Sequence, residues 1–226
     1  MKIVAISDLH GFFPKIKEES FDVLCICGDI FPLKIQHISA ACENWLKQRF
    51  IPWCEELPCK TVLLVAGNHD LWCEETMHPD IEEIFEGTKI HYLENDFIEV
   101  DGIKFYGTPY CKIFGNWSFM RENDKLAMYF ENIPEDLDIL LTHDAPYGTS
   151  DVCEEEAWWN THDHIGNIPL RDAIIAKKPK INLHGHLHSS NHECEMLNDT
   201  KVYCVSVVNE QYELAYEPLV LEIDNI

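Results

Sequence analysis

No apolar run in the 226 residues approaches the ~20 that span a bilayer. The opening MKIVAISDLH lacks the basic head and long apolar run of a signal peptide. The expectation is a soluble, cytoplasmic protein with no membrane partner. Basic charge is scarce: 17 Lys and Arg face 40 Asp and Glu, for a formal net charge of −23. No Lys or Arg cluster is long enough to serve as a nucleic-acid footprint. A surface of this sign repels duplex DNA and anionic membranes unless bound cations intervene, so long nucleic acid is not an expected partner. Most of the acidity reads as solvated surface, with part available to a cation site. No internal repeat or low-complexity linker interrupts the chain, which reads as a single domain over 1–226. Ten cysteines are present, but Cys54 and Cys59 have no second pair at zinc-site spacing, and Cys25 and Cys27 lie on one apolar run. Reduced, mostly structural thiols are expected, and a disulfide framework is not.

What is present points to a packed α/β protein. The hydrophobic fraction is 46%, with six tryptophans, and a chain of this size buries roughly 70% or more of its unfolded surface. Five short runs, KIVAIS, FDVLCIC, TVLLVA, DILLT and KINL, are apolar throughout. That pattern predicts strands buried on both faces, in a sheet covered by helices. Helices are predicted over Ile35–Phe50, Pro79–Phe85, Asn123–Phe130 and Pro169–Lys177. IEVDGIKFYG alternates around Asp101-Gly102, a two-residue hairpin signal, because both turn positions need positive φ. KVYCVSVV and LVLEID read as further strands.

Each apolar run stops abruptly in polar residues: Asp8-Leu9-His10, Gly28-Asp29, Gly67-Asn68-His69-Asp70, His143, and His184-Gly185-His186-Leu187-His188. One such cluster alone is a weak signal. Five of them place aspartate, asparagine and histidine where strands converge on one edge, and in open α/β sheets ligands gather at the carboxyl ends of strands. Imidazole with carboxylate suits divalent Mn, Fe, Co, Ni or Zn, whereas all-oxygen sites suit Mg and Ca. A carboxylate shared by two cations holds them roughly 3.5–4 Å apart, the spacing that clamps a phosphoryl group and generates hydroxide.

In their order DLH, GD, GNHD, H and GHLH, these blocks resemble those of the calcineurin-like metallophosphoesterases, across positions 8 to 188. GTPYCKIFGNWSFM, LTHDAPYGTSD and HIGNIPLRDAIIAKKPKINLHGHLH look closer to the small metallophosphoesterase-domain, 239FB-like group. The resemblance implies a four-layer αββα sandwich of mixed sheets flanked by helices. It implies a first metal on Asp8, His10 and His188, a second on Asn68, His143 and His186, and Asp29 bridging them. His69 would then donate a proton to the leaving oxygen, and Asp70 would hold His69 in its productive tautomer. Two divalent ions, manganese among the candidates, and a small phosphate-ester substrate follow. The implied enzyme is a dinuclear phosphoric ester hydrolase that attacks with a dimetal-bound hydroxide. The GNHD form of the third block favours a phosphodiester, a cyclic nucleotide among the candidates. A phosphomonoesterase, and a low-activity nucleotide-binding or scaffold member of the fold, remain as alternatives.

Outside the blocks, Arg121 in GNWSFMR is a candidate substrate contact, with a surface ion pair as its plainer reading, and Trp117 is a candidate pocket wall. His184 reads as a structural strand-end histidine. His162 and His164, with Trp158, Trp159 and Glu154 to Glu156, lie in a 151–165 loop that could reach the site. His37, His78, His91 and His192 carry no motif.

Overall fold

The five apolar runs all become strands, but they do not share one sheet. The computed structural model describes residues 1–76, 78–152 and 163–223. β1 (Lys2–Ile6), β2 (Val23–Cys27) and β3 (Thr61–Val65) run parallel, with β4 (Ile90–Tyr92) parallel beyond β3. The second sheet is built from β5 (Asp96–Val100), β6 (Ile103–Thr108), β9 (Ile139–Thr142), β10 (Ile181–His184), β11 (Glu195–Leu197) and β12 (Thr200–Cys204). β7 (Cys111–Lys112) and β8 (Met120–Arg121) form a separate two-stranded sheet. β13 (Leu219–Glu222) closes the first sheet antiparallel to β1. The orders are β13-β1-β2-β3-β4 and β11-β12-β10-β9-β6-β5. Both sheets are mixed: each has a parallel centre, with one antiparallel edge strand in the first sheet and one at each edge of the second.

Strand periodicity divides the apolar residues between two cores. Ala5, Cys25 and Leu63 point one way and meet Phe105, Leu141 and Leu183 of the other sheet. Their alternates Val4, Ile6, Leu24 and Ile26 belong to a second core with helical Cys42, Leu46 and Phe50. This explains why the runs are apolar without alternation, since both faces are covered. Each valine, leucine, isoleucine or phenylalanine side chain so buried contributes roughly 1.5–3 kcal/mol. Helices flank the sheets: α1 (Ser39–Trp45), α2 (Ile51–Glu56), α3 (Leu71–Glu75), α4 (His78–Phe85), α5 (Asn123–Phe130) and α6 (Ile168–Lys177). The architecture is the expected four-layer αββα sandwich.

Local chemistry moves some boundaries. The helix predicted from Ile35 begins at Ser39, because Ile35–Ile38 closes as a turn with the Ile38 N–H on Ile35 O at 2.7 Å. It also continues past Phe50 into α2, through an i→i+5 turn at Leu46–Phe50. That widened turn ends two residues before Pro52, which has no N–H to give the ladder and crowds the carbonyl four residues back. In α6, the Asn167 side chain accepts from Leu170 N at 3.0 Å, Pro169 sits in the first turn, and Lys178 (φ 55) ends the helix. The hairpin turns at Asp101 (φ 47) and Gly102 (φ 84), between paired Val100 and Ile103, as the sequence signal requires. Among the described residues, no helix is long and apolar enough to cross a membrane.

Candidate metal centre

The polar clusters sit at the carboxyl ends of β1, β2 and β3 on one sheet and of β9 and β10 on the other. The expectation of one sheet edge is thus corrected: two sheets share the donors. Strands buried on both faces look alike in sequence whichever sheet they join. The loops after β1 and β2 are tied together by Asp8 N donating to Gly28 O (2.9 Å) and His10 N to Asp29 O (2.8 Å). Asp8 (φ 57), His10 (φ 42), Asp29 (φ 55) and His186 (φ 70) all adopt left-handed backbone. Non-glycine residues rarely do so, and such strain concentrates at functional sites. Gly67 lets the chains close up, since a Cβ there would run into Asp29 Oδ1 and stand 2.6 Å from Asp29 N and His143 Cε1.

Two groups of donors converge. Asp8, His10 and His188 offer ligand atoms within 4.8 Å of one another, as do Asp8, Asp29 and His143. His188 Nε2 lies 3.4 Å from Asp8 Oδ1. Asp29 Oδ2 lies between the two sides, 3.7 Å from His10 Nε2 and 3.4 Å from His143 Nε2. Asn68 Oδ1 is 2.9 Å from His143 Nε2, and the His186 ring is 5.1 Å from that of His143. His186 also donates its backbone N–H to both Asp8 oxygens at 3.1 Å. The far ring nitrogens are engaged: His143 Nδ1 donates to Cys27 O (2.8 Å) and His188 Nδ1 to Asn209 O (3.1 Å). Each bond directs Nε2 into the cluster, as ligating imidazoles require.

The electrostatics fit cations. Asp8 and Asp29 are 0% and 1% exposed, and the ion pairs they make among the described residues are with histidines. Two bare carboxylates buried side by side are costly without positive charge. Both ring nitrogens of His10 are buried with no hydrogen-bond partner, an arrangement a metal satisfies. Burial drives His10 down to about 4, against the pull of Asp29, and drives His186 down to about 3, so both are neutral and ligand-ready near pH 7. Burial also disfavours charge on His143, but Asp29 outweighs it and raises the ring to about 10. The field that holds a proton on that ring is the field that would hold a divalent ion. At Asp29, burial is overcome by His143 and His69, which keep the carboxyl well below its usual range.

His69 lies beside the donors, its ring 5.2 Å from that of His10, and its backbone N–H donates to Asp29 Oδ1 at 2.7 Å. Its orienting partner is not Asp70. His69 Nδ1 bonds Gln36 Oε1 at 2.8 Å, and Gln36 is only 7% exposed. Asp70 instead accepts four backbone N–H groups: Asp29 and Gly67 (both 2.8 Å) on Oδ2, and Ile30 (2.9 Å) and Phe31 (3.3 Å) on Oδ1. It pins the β2 and β3 loops to each other, which corrects its expected role. Burial, then the Asp29 charge, pushes its carboxyl up to about 7.

Trp117 reaches the site, its ring 4.4 Å from that of His69 and 6.3 Å from that of His37. His37, which carries no motif, therefore stands near the pocket. Arg121 takes the plainer reading: its guanidinium pairs with Glu74 at 2.7 Å and lies 5.1 Å over the Tyr110 ring. His184 is fully buried, with Nδ1 3.0 Å from Gly185 O. His164 pairs with Asp151 at 2.6 Å, while the expectations on Glu154 to Glu156, Trp158, Trp159 and His162 lie outside the described residues. His91 is exposed, and His192 stacks on Tyr216 at 3.7 Å.

The chain is similar to known proteins in sequence and in fold. The chain is 25% identical to human Metallophosphoesterase domain-containing protein 1 over 245 residues, covering 98% of this chain and 71% of that protein. It is 24% identical to UPF0046 protein K07C11.7 of Caenorhabditis elegans over 237 residues, covering 99% and 75%. The crystal structure of phosphopantetheinyl hydrolase (PptH) from Mycobacterium tuberculosis matches in fold, with a TM-score of 0.55 at 14% identity, covering 93% of this chain and 90% of that one. The family model for calcineurin-like phosphoesterases matches residues 1–190, a span that contains every strand-end cluster. The chain thus belongs to the calcineurin-like phosphoesterase family, whose members use divalent metals on phosphate esters.

Proposed function

We propose that this protein is a cytoplasmic dinuclear hydrolase of a small phosphodiester. The observation that carries the reading is the burial of Asp8 and Asp29 among imidazoles, with both His10 nitrogens left unpartnered. Asp8, His10 and His188 would hold one ion, Asn68, His143 and His186 the other, and Asp29 both. When bound, the two ions supply a water of lowered pKa and neutralise the charge of the phosphate.

The chain's own residues do the rest. With Gln36 Oε1 accepting, His69 Nδ1 carries its hydrogen in either charge state of the ring. The transferable proton is therefore confined to Nε2, the atom that can pass it to a leaving oxygen. Burial lowers the affinity of His69 for that proton, with Asp29 opposing, so the proton leaves readily once the ester bond breaks. Trp117 covers one side of the ring and limits water there.

Hydrolysis of bis-p-nitrophenyl phosphate and of p-nitrophenyl phosphate with Mn²⁺ tests the reading. Faster diester turnover is expected, and a strong monoester preference overturns the diesterase assignment. His69→Ala should keep its metal and lose roughly 10²–10⁴-fold in rate, the value of a positioned proton donor.

A further inference from the structure

Residues 209–213 form a tight turn beyond residues 1–190, the span of the family match. Asn209 Oδ1 accepts from Gln211 N (3.1 Å) and Glu213 N (2.9 Å), and Asn209 N donates to Glu213 O (2.9 Å). The turn grips the last histidine block at two points. Asn209 O accepts from His188 Nδ1 (3.1 Å), and Glu210 Oε1 accepts from Ser189 N (3.1 Å) and Ser189 Oγ (2.9 Å). Tyr212, within the turn, has φ 59, a conformation uncommon for so bulky a residue. Its ring lies edge-on to His10 (4.8 Å, 80°) and to His188 (5.2 Å, 84°), and 6.4 Å from His69. The His10 and His188 side chains are 1% and 8% exposed, while Tyr212 is half-buried. The phenol ring therefore stands between these two imidazoles and solvent.

We infer that Tyr212 is a positioning residue that caps the Asp8–His10–His188 ion site. Its ring fixes the His10 imidazole, which has no hydrogen bond to orient it, and blocks the approach of water or a competing chelator from that side. The turn couples this cap to His188 through Asn209, so one short segment holds both imidazoles of the site. The inference rests on the dimetal reading above.

The test is metal release from the Mn²⁺-loaded full chain into excess EDTA, followed by free manganese. The wild type should release two ions in separable phases. Tyr212→Gly accepts φ 59 without strain, and Tyr212→Asn also tolerates this region. Either should accelerate one phase by roughly 10–100-fold, the usual cost of losing a group behind a metal ligand, and leave the other at its wild-type rate. Tyr212→Phe keeps the ring and should match the wild type in both phases. If the glycine variant does not fold, the asparagine variant decides. Wild-type release from the variants, or equal acceleration of both phases, overturns the cap while leaving the dimetal centre standing. A wild-type chain that binds no manganese overturns the centre and the cap together.

Discussion

Gly67→Ala isolates how tightly the backbone must close around the donors. Gly67 needs no left-handed backbone, so the substitution adds only a methyl group. That carbon would stand 2.6 Å from Asp29 N and from His143 Cε1, against ~3.5–4.0 Å for relaxed carbon contacts. Neither neighbour can retreat cheaply. Asp29 N is bonded to Asp70 at 2.8 Å, and the His143 ring to Cys27 O at 2.8 Å. Overpacking of this kind costs about 1–3 kcal/mol. At roughly 2–4 °C per kcal/mol for a chain of this size, Tm should fall by about 2–12 °C. The displaced Asp29 and His143 should also lower metal stoichiometry, and a shift of about 1 Å in reacting groups costs on the order of 10² in rate. Gly148→Ala is the control, since its φ of +87 faces open space. It should lose about 1–2 kcal/mol from backbone strain alone and keep its metal. Thermal unfolding and elemental analysis of both variants read the difference. Wild-type Tm and full metal content in Gly67→Ala would refute the close-approach argument.

Asp70→Asn places an amide NH₂ against backbone donors that now share a carboxylate, leaving two N–H groups unsatisfied at ~1–3 kcal/mol each. Urea unfolding should show a loss of about 2–6 kcal/mol by the same bookkeeping, and an unchanged midpoint would return Asp70 to the His69-orienting role. Gln36→Leu removes the acceptor for His69 Nδ1. It should keep both ions, change the pH profile of turnover, and cost up to the ~10²–10⁴ that an oriented proton donor supplies; an unaltered profile contradicts the assignment. In the metal-free protein, His10, His184 and His186 are held at about 4, about 4 and about 3 by burial. Below their unfolded value of 6.5 the unfolded chain takes up protons that the folded chain refuses, so stability falls as pH drops from 6.5 towards 4. Asp70, raised to about 7, and Asp144, also raised by burial, work the other way across this window, but two carboxyls oppose four imidazoles, since burial lowers His69 as well. A chelated sample whose Tm holds constant from pH 6.5 to pH 4 would count against those burial-driven shifts.

The metal-type side chains were legible because each follows a short apolar run, a purely local signal. The same locality hid what lies around them. Gln36 meets His69 across 33 residues and comes from a turn with no motif. Tyr212 reaches His10 from the far end of the chain, and nothing in VVNEQYELAY marks it as close to a cluster of imidazoles. The contact expected between Asp70 and His69 came from the family resemblance and not from local chemistry. The helix after Asp70 starts at Leu71, and the carboxylate lies against the backbone of the loop after β2 instead. The partition of strands between two sheets was invisible because Val4, Ile6, Ala5 and Cys25 are equally buried whichever layer they face. The hairpin at Asp101-Gly102 was legible because positive φ leaves a direct residue signature.

The division of donors between the sheets has a mechanical consequence. Asp8, His10, Asp29 and Asn68 ride on one layer, while His143, His186 and His188 ride on the other, and between the layers lies an apolar seam around Ala5, Cys25, Phe105 and Leu183. Under the proposed dimetal reading, ions held by both sets would act as a rivet through that seam. Sliding of one layer past the other would then break coordination, so the metal's binding energy would add to cohesion between the layers.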